Sequence, residues 1–149
     1  MQSTETLVAI FHQKGLKITP QRRAIFDLLN SADSHLTAEE IYQQLLPQLP
    51  DISRTTIYNT LNELVDLGEL TVVEGVDGDG VRYDKRVTHH HHLFCMVCHQ
   101  LMDVDHDFNG IGLSADEAAG YDIIKAQVTF YGYCPNCKKE KVLPNGRNE

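Results

Sequence analysis

Residues 53–68 read Ser-Arg-Thr-Thr-Ile-Tyr-Asn-Thr-Leu-Asn-Glu-Leu-Val-Asp-Leu-Gly, and the fold follows from this stretch. Ser53 is an N-cap residue, and Gly68 is the usual C-terminal stop. Ile57, Leu61, Leu64 and Val65 fall at helical spacing and form one apolar stripe. Thr55, Tyr58, Asn59 and Asn62 recur at i, i+3, i+4 and i+7 on the opposite face, with Arg54 in the first turn. That face carries hydrogen-bonding groups and hardly any acid. Asn can read adenine edges, Arg can read guanine or grip phosphate, and Tyr can touch phosphate or a thymine methyl.

Two further helices precede this one. Thr19-Pro20 is an N-cap followed by proline at the first helical position, and Ala24, Ile25, Leu28 and Leu29 make its stripe. Thr37-Ala38-Glu39-Glu40 is a capping box, with Ile41, Leu45 and Leu46 on the buried face and Pro47 as terminator. A weaker helix covers about residues 4–14. After Gly68 the period changes from helical to alternating. Residues 70–74 and 81–84 read as short strands around a Gly/Asp-rich turn at 75–80. That turn lacks the twelve-residue ligand pattern of a calcium loop and is expected to be a hairpin. Three helices and a hairpin make a winged helix-turn-helix. Lys14, Lys17, Arg22 and Arg23 add candidate phosphate contacts.

Charge weighs against indiscriminate nucleic-acid binding. The 149 residues carry a net charge of −8, of which residues 1–84 hold −7, with six Lys/Arg against 13 Asp/Glu. Phosphate repels such a chain at long range, so a DNA function needs a local polar or basic face and help from bound cations. The longest apolar run is Leu7 to Phe11, far short of a membrane span, and no basic leader precedes it. A cytoplasmic protein with no membrane partner is expected.

The four cysteines form two C-x-x-C pairs, Cys95/Cys98 and Cys134/Cys137. Four thiolates are the full set for a closed tetrahedral Zn2+ site, and such a site is structural. Redox thiols and unconnected buried thiols are the other readings of this pattern. The 35 residues between Cys98 and Cys134 exceed ordinary ribbon spacing, so something folds between the knuckles. Strand-like runs at 93–96, 100–104 and the second half of 123–131, with a short helix at 114–119, describe a small α/β unit. About 60 residues bury little core alone, so the zinc clip and a second copy of the chain are expected to stabilise it. The end of the chain, from Lys138 onward, reads as a polar, frayed tail.

Between the halves lies Asp84-Lys85-Arg86-Val87-Thr88 followed by His89, His90, His91 and His92. In an extended segment His90 and His92 point one way and His89 and His91 the other. Each pair offers two imidazoles, with carboxylates near in sequence at Asp84, Asp103, Asp105 and Asp107. Mixed nitrogen and oxygen donors suit iron(II), manganese(II) or zinc. The alternative is a solvated polar linker. His12 and His99 have no such pattern around them.

The order of features resembles the ferric uptake regulator (Fur) superfamily of bacterial metal-dependent repressors. The motifs that carry the resemblance are residues 18–22 (Ile-Thr-Pro-Gln-Arg), residues 34–42 (Ser-His-Leu-Thr-Ala-Glu-Glu-Ile-Tyr), residues 53–61, Arg82-Tyr83-Asp84, the histidine run and both cysteine knuckles. The fold implied is α+β: an N-terminal winged helix-turn-helix followed by a small α/β dimerisation domain with a four-cysteine zinc site. The implied organisation is a DNA-binding domain at 1–84, a hinge and metal-binding segment at 85–92, and a dimerisation domain with its polar tail at 93–149. The resemblance implies a homodimer on a palindromic, A·T-rich operator. It also implies a regulatory metal on His35, Asp84, His90, His92 and Asp103, filled by Fe2+ or Mn2+. A candidate second metal site carries over only in part, onto His89 and His91. Its downstream histidine is Ala126 here, with Asp105 or Asp107 as replacements. Zinc-sensing members use a sensory cysteine, whereas all four thiols here are committed. Iron-sensing members commonly carry Glu at the positions of Asp84 and Asp103, and peroxide-sensing (PerR-type) members resemble this chain. The expected function is thus a peroxide-responsive repressor rather than an enzyme, with the iron-uptake regulator as the alternative. A metal-dependent hydrolase could also use histidines and carboxylates, but no nucleophile or base stands beside the cluster. A metal-storage protein would leave the polar helix face unexplained.

Overall fold

The computed structural model describes residues 1–74, 80–108 and 111–139. The chain divides into two compact units, Met1–Val87 and Thr88–Glu149.

The first unit begins with α1 (Thr4–Gln13), capped by Ser3, and α2 (Pro20–Ser31), whose Thr19 hydroxyl accepts the Arg22 N–H. Strand β1 (Leu36–Thr37) runs directly into α3 (Ala38–Leu45). Thr37 and Glu40 cap that helix reciprocally: the Glu40 N–H donates to the Thr37 hydroxyl at 3.1 Å, and the Thr37 N–H to the Glu40 carboxylate at 2.7 Å. Helix α4 (Arg54–Asp66) starts at the Ser53 cap and stops before Gly68, which has φ +73°. Ile57, Leu61 and Leu64 of the expected stripe are fully buried, together with Thr60, while Val65 is half-buried. The Thr60 hydroxyl donates back to the Thr56 carbonyl at 2.7 Å, which lets a polar side chain sit in the core. Phe26 is fully buried on α2 and meets Phe11 edge-to-face, with ring centroids 5.0 Å apart. These helices close one core that also takes in Leu7, Ile25, Leu29, Ile41 and Leu70.

Strands β2 (Thr71–Val73) and β3 (Arg82–Asp84) pair antiparallel as the legs of the expected hairpin; the expected turn at 75–80 falls on residues 75–79, which lie outside the described residues. A third strand has no signature in the sequence: β1 pairs antiparallel with β3, giving the order β1-β3-β2.

The second unit is a three-stranded sheet of order β5-β4-β6, made of β4 (His91–Cys95), β5 (Leu101–Val104) and β6 (Thr129–Gly132). β4 and β5 are antiparallel, while β4 and β6 are parallel. A short helix α5 (Ala115–Ala118) has a capping box between Ser114 and Glu117. Its C-cap is Ala119, with φ +49°, and the expected stop Gly120 follows with φ +83°. Helix α6 (Pro135–Lys139) closes the described part. Lys138 and Lys139 complete this helix, which corrects the expectation of a frayed tail from Lys138; residues 140–149 lie outside the described residues.

Candidate metal centres and nucleic-acid interface

The cysteine knuckles are brought together by strand register. β4 ends at Cys95, and its parallel pairing sets Cys95 opposite Gly132, two residues before Cys134. The first knuckle turns through His99, which has φ +59°, and its N–H donates to the Cys95 carbonyl at 2.9 Å. The second runs into α6, which carries Cys137 and in which the Lys138 N–H donates to the Cys134 carbonyl at 3.0 Å. All four sulfurs lie within 4.8 Å of one another, as four donors to one ion require, and none is in a disulfide. Burial works against ionisation of Cys95, but backbone N–H groups, that of Cys134 at 3.3 Å foremost, outweigh it and bring the thiol down to about 6. Cys137 is held up at about 12, chiefly by its contact with Cys134 and then by burial. Four convergent sulfurs are the donor set of a tetrahedral ion.

The histidine run separates onto two faces, as alternation requires. The His90 and His92 rings are 4.6 Å apart at their centroids, and those of His89 and His91 are 4.9 Å apart. β4–β5 pairing places His92 opposite Asp103, so these residues share a sheet face with His90, Phe94 and Leu101. On that face, Asp103 Oδ1 lies 3.4 Å from His90 Nε2 and 3.9 Å from His92 Nε2. His90 Nδ1 donates to the Thr88 carbonyl at 2.7 Å, which fixes the tautomer and turns Nε2 toward Asp103. His90 and His92 are buried.

The first unit builds a matching pair by the same means. The β1–β3 register, Leu36 opposite Tyr83, continues to set His35 opposite Asp84. His35 Nε2 is 3.2 Å from Asp84 Oδ2, and both residues are buried. The other Asp84 oxygen accepts the Arg86 N–H at 2.7 Å. Arg82 steadies the segment: one guanidinium nitrogen donates to the His35 carbonyl at 2.9 Å and to Glu40 at 3.2 Å. Sequence reasoning missed this buried cation, although its place two residues before Asp84 was a usable signal.

His89 and His91 are engaged otherwise. His89 Nε2 donates to the Ala126 carbonyl at 2.6 Å, and His91 Nδ1 accepts the Val128 N–H at 3.1 Å. The His91 ring packs on Phe108, and burial, followed by the neighbouring His89, lowers its basicity. Among the described residues these two imidazoles join no group of three or more close metal donors, with Asp105 and Asp107 included.

On α4, Thr55, Tyr58, Asn59 and Asn62 are exposed, Tyr58 by 47% although it is aromatic. Arg54 is exposed too, but forks onto Glu39 and stacks over Tyr42. Beside Asn59 a polar depression is lined by Lys17, Thr19, Gln21, Arg22 and Thr56. Arg22 pairs with Glu63 at 2.7 Å, and Arg23 pairs with Glu5. These two arginines are therefore partly neutralised, whereas Lys14 and Lys17 are exposed.

A chain of this kind has counterparts. The model of the ferric uptake regulator family matches residues 13–131. This chain belongs to the ferric uptake regulator family. It is 37% identical over 138 residues to the peroxide-responsive repressor PerR of Staphylococcus epidermidis, covering 91% of each chain. Among solved structures, PerR from Streptococcus pyogenes is 30% identical with a TM-score of 0.54, over 92% of this chain and 94% of that one. The Helicobacter pylori ferric uptake regulator gives a TM-score of 0.67 at 21% identity, over 90% of each chain, which speaks to the fold. Fold and family thus agree with the reading of an N-terminal winged helix-turn-helix followed by a small α/β unit with a four-cysteine site.

Proposed function

We propose that the chain is a metal-dependent transcriptional repressor of the PerR type. The observation that carries this is the pair of half-sites: His35 with Asp84 in one unit, and His90 and His92 with Asp103 in the other. One divalent ion shared by the five residues ties the DNA-binding half, residues 1–84, to the dimerisation half, residues 93–149, across the hinge at 85–92. An ion that prefers one arrangement of the halves shifts the population toward it. Three imidazoles and two carboxylates suit Fe2+ or Mn2+, and the soft Cys95, Cys98, Cys134 and Cys137 set suits Zn2+. A divalent cation also offsets two carboxylates in a chain of net charge −8, easing approach to phosphate.

Tyr58, Asn59, Thr55, Asn62 and Arg54 face the major groove in this reading, and Lys14, Lys17, Arg22 and Arg23 meet the backbone. The operator is a double-stranded palindrome, because a homodimer presents two such helices, and is A·T-rich as the family resemblance implies. Support for the homodimer comes from the second sheet: Leu93 pairs with Met102 and with Phe130, and all three are exposed on the face away from His92. The protein acts in the cytoplasm and is not an enzyme.

The PerR assignment rests on the relatives and on aspartate at positions 84 and 103. Iron(II) held by His35, Asp84, His90, His92 and Asp103 would supply the electrons that cleave hydrogen peroxide, one oxygen leaving as water and the other passing to a histidine ring carbon, chemistry that manganese(II) would not supply. The test is to load the protein with each metal, add hydrogen peroxide, and follow both operator binding and the mass of the histidine peptides. One added oxygen on His35, His90 or His92 with loss of binding, in the iron form alone, is expected. Unmodified histidines on a protein that stays bound would favour the iron-uptake regulator instead.

A further inference from the structure

Glu39 stands beside the first turn of the reading helix, where a negative charge is unwelcome next to phosphate. It is not left bare. Glu39 Oε2 accepts Arg54 Nε at 2.8 Å, and Oε1 accepts Arg54 Nη2 at 2.8 Å and Gln43 Nε2 at 2.8 Å. The Arg54 guanidinium carbon lies 3.9 Å from the centre of the Tyr42 ring, so the plane is stacked as well as forked. Arg54 is the first residue of α4, and Glu39 and Tyr42 stand on α3, one turn apart. The Arg54 and Glu39 side chains remain 55% and 52% exposed, so a ligand can reach the guanidinium.

A guanidinium has two bidentate edges. Glu39 occupies the edge made by Nε and Nη2, which leaves both N–H groups of Nη1 and one of Nη2. One N–H of Nη1 and the remaining one of Nη2 point along the side-chain axis, away from Glu39, as a paired donor. An arginine held on one edge and stacked on its face has lost most of its rotamer freedom before any partner arrives. The two acceptors of a guanine in the major groove, O6 and N7, match the edge that is left.

We propose that Glu39 and Tyr42 are positioning residues that hold Arg54 as a guanine reader, so that each operator half-site contains one G·C pair recognised by Arg54. This rests on the DNA-binding reading above. A merely electrostatic role, in which Arg54 screens Glu39 from phosphate, uses the same residues but predicts no base preference.

The experiment is selection of duplexes from a randomised library by the full-length, manganese-loaded protein, in the wild type and in Glu39→Gln, Tyr42→Leu and Arg54→Lys. The wild type is expected to enrich a two-fold motif with one guanine per half-site, preferred about tenfold or more over other bases. Arg54→Lys keeps the charge but lacks the planar fork that Glu39 and Tyr42 hold, so it should weaken that preference markedly while the rest of the motif survives. Glu39→Gln and Tyr42→Leu should weaken it several-fold, and 7-deazaguanine at the position should mimic Arg54→Lys in wild-type binding. Three results would overturn the proposal: a guanine preference unchanged in Arg54→Lys, a motif with no guanine, or Glu39→Gln tightening binding to all duplexes equally. A wild type that enriches no motif at all would remove the DNA-binding reading itself, and this inference with it.

Discussion

Replacing Arg82 by Met tests how the first half-site is built. Arg82 is 6% exposed, so the substitution leaves an apolar stem in place and removes only the buried guanidinium. Its bonds to the His35 carbonyl at 2.9 Å and to the Glu40 carboxylate at 3.2 Å go with it. Hydrogen bonds involving a charged group contribute about 1.5–3 kcal/mol each, and Met restores part of that by apolar burial, so a loss of about 2–4 kcal/mol is expected. For a unit of this size, each 1 kcal/mol moves Tm by about 4–8 °C. The His35 carbonyl also loses its anchor, which frees the ligand segment before β1. Removing such outer supports costs about 10–100-fold in metal affinity, and the same loss is expected here for Mn2+. Thermal melting of the zinc-containing, manganese-free protein gives the first number, and manganese titration by calorimetry gives the second. If manganese binds with unchanged affinity to Arg82→Met, the view that the Arg82–His35 contact orients the ligand is wrong. If the melt is also unchanged, Arg82 is a bystander.

Cys95→Ser should lose zinc and the folded dimer together, read by metal analysis and sedimentation; a zinc-free, folded dimer would refute the structural role of the knuckles. His90→Ala should abolish metal-dependent DNA binding while zinc content stays unchanged, which a gel shift with and without Mn2+ decides. Asn59→Ala should weaken operator binding by about 1–3 kcal/mol without altering the melt, and equal affinity would remove that side chain from the interface. Glu39 should titrate at about 2 by carboxyl NMR against 4.5 for an ordinary glutamate, because Arg54 and then Gln43 donate to it. A carboxylate held down in this way contributes stability that is present above pH 4.5 and lost as pH falls toward 2. In Arg54→Ala the titration should move back up, and a midpoint that stays near 2 would contradict the fork.

Elements with a local cause were legible in the sequence. Ser53, Thr19 and Thr37 cap helices whose starts they announce, because a cap is a bond between residues three apart. The separation of His90 and His92 from His89 and His91 follows from the two-residue period of extended backbone and needs no tertiary contact. Each C-x-x-C pair was legible for the same reason, since its two donors and their turn are local.

What tertiary structure alone decided is which distant segments lie side by side. Strand β1 is two residues long and has no period to detect; it exists because β3 offers an edge to Leu36 and Thr37, and that pairing is what faces His35 toward Asp84. The parallel return of β6 onto β4 unites the two knuckles across the long intervening segment. Arg22, Arg23 and Arg54 read as free cations along the chain, whereas Glu63, Glu5 and Glu39, each at least 15 residues away, meet them only in the fold. Sequence sets the chemistry that each residue can perform, since donors, charges and periods are properties of the residue and its near neighbours. Whether that chemistry is spent inside the molecule or kept for a partner depends on contacts between segments remote in sequence, and only the packed chain determines those.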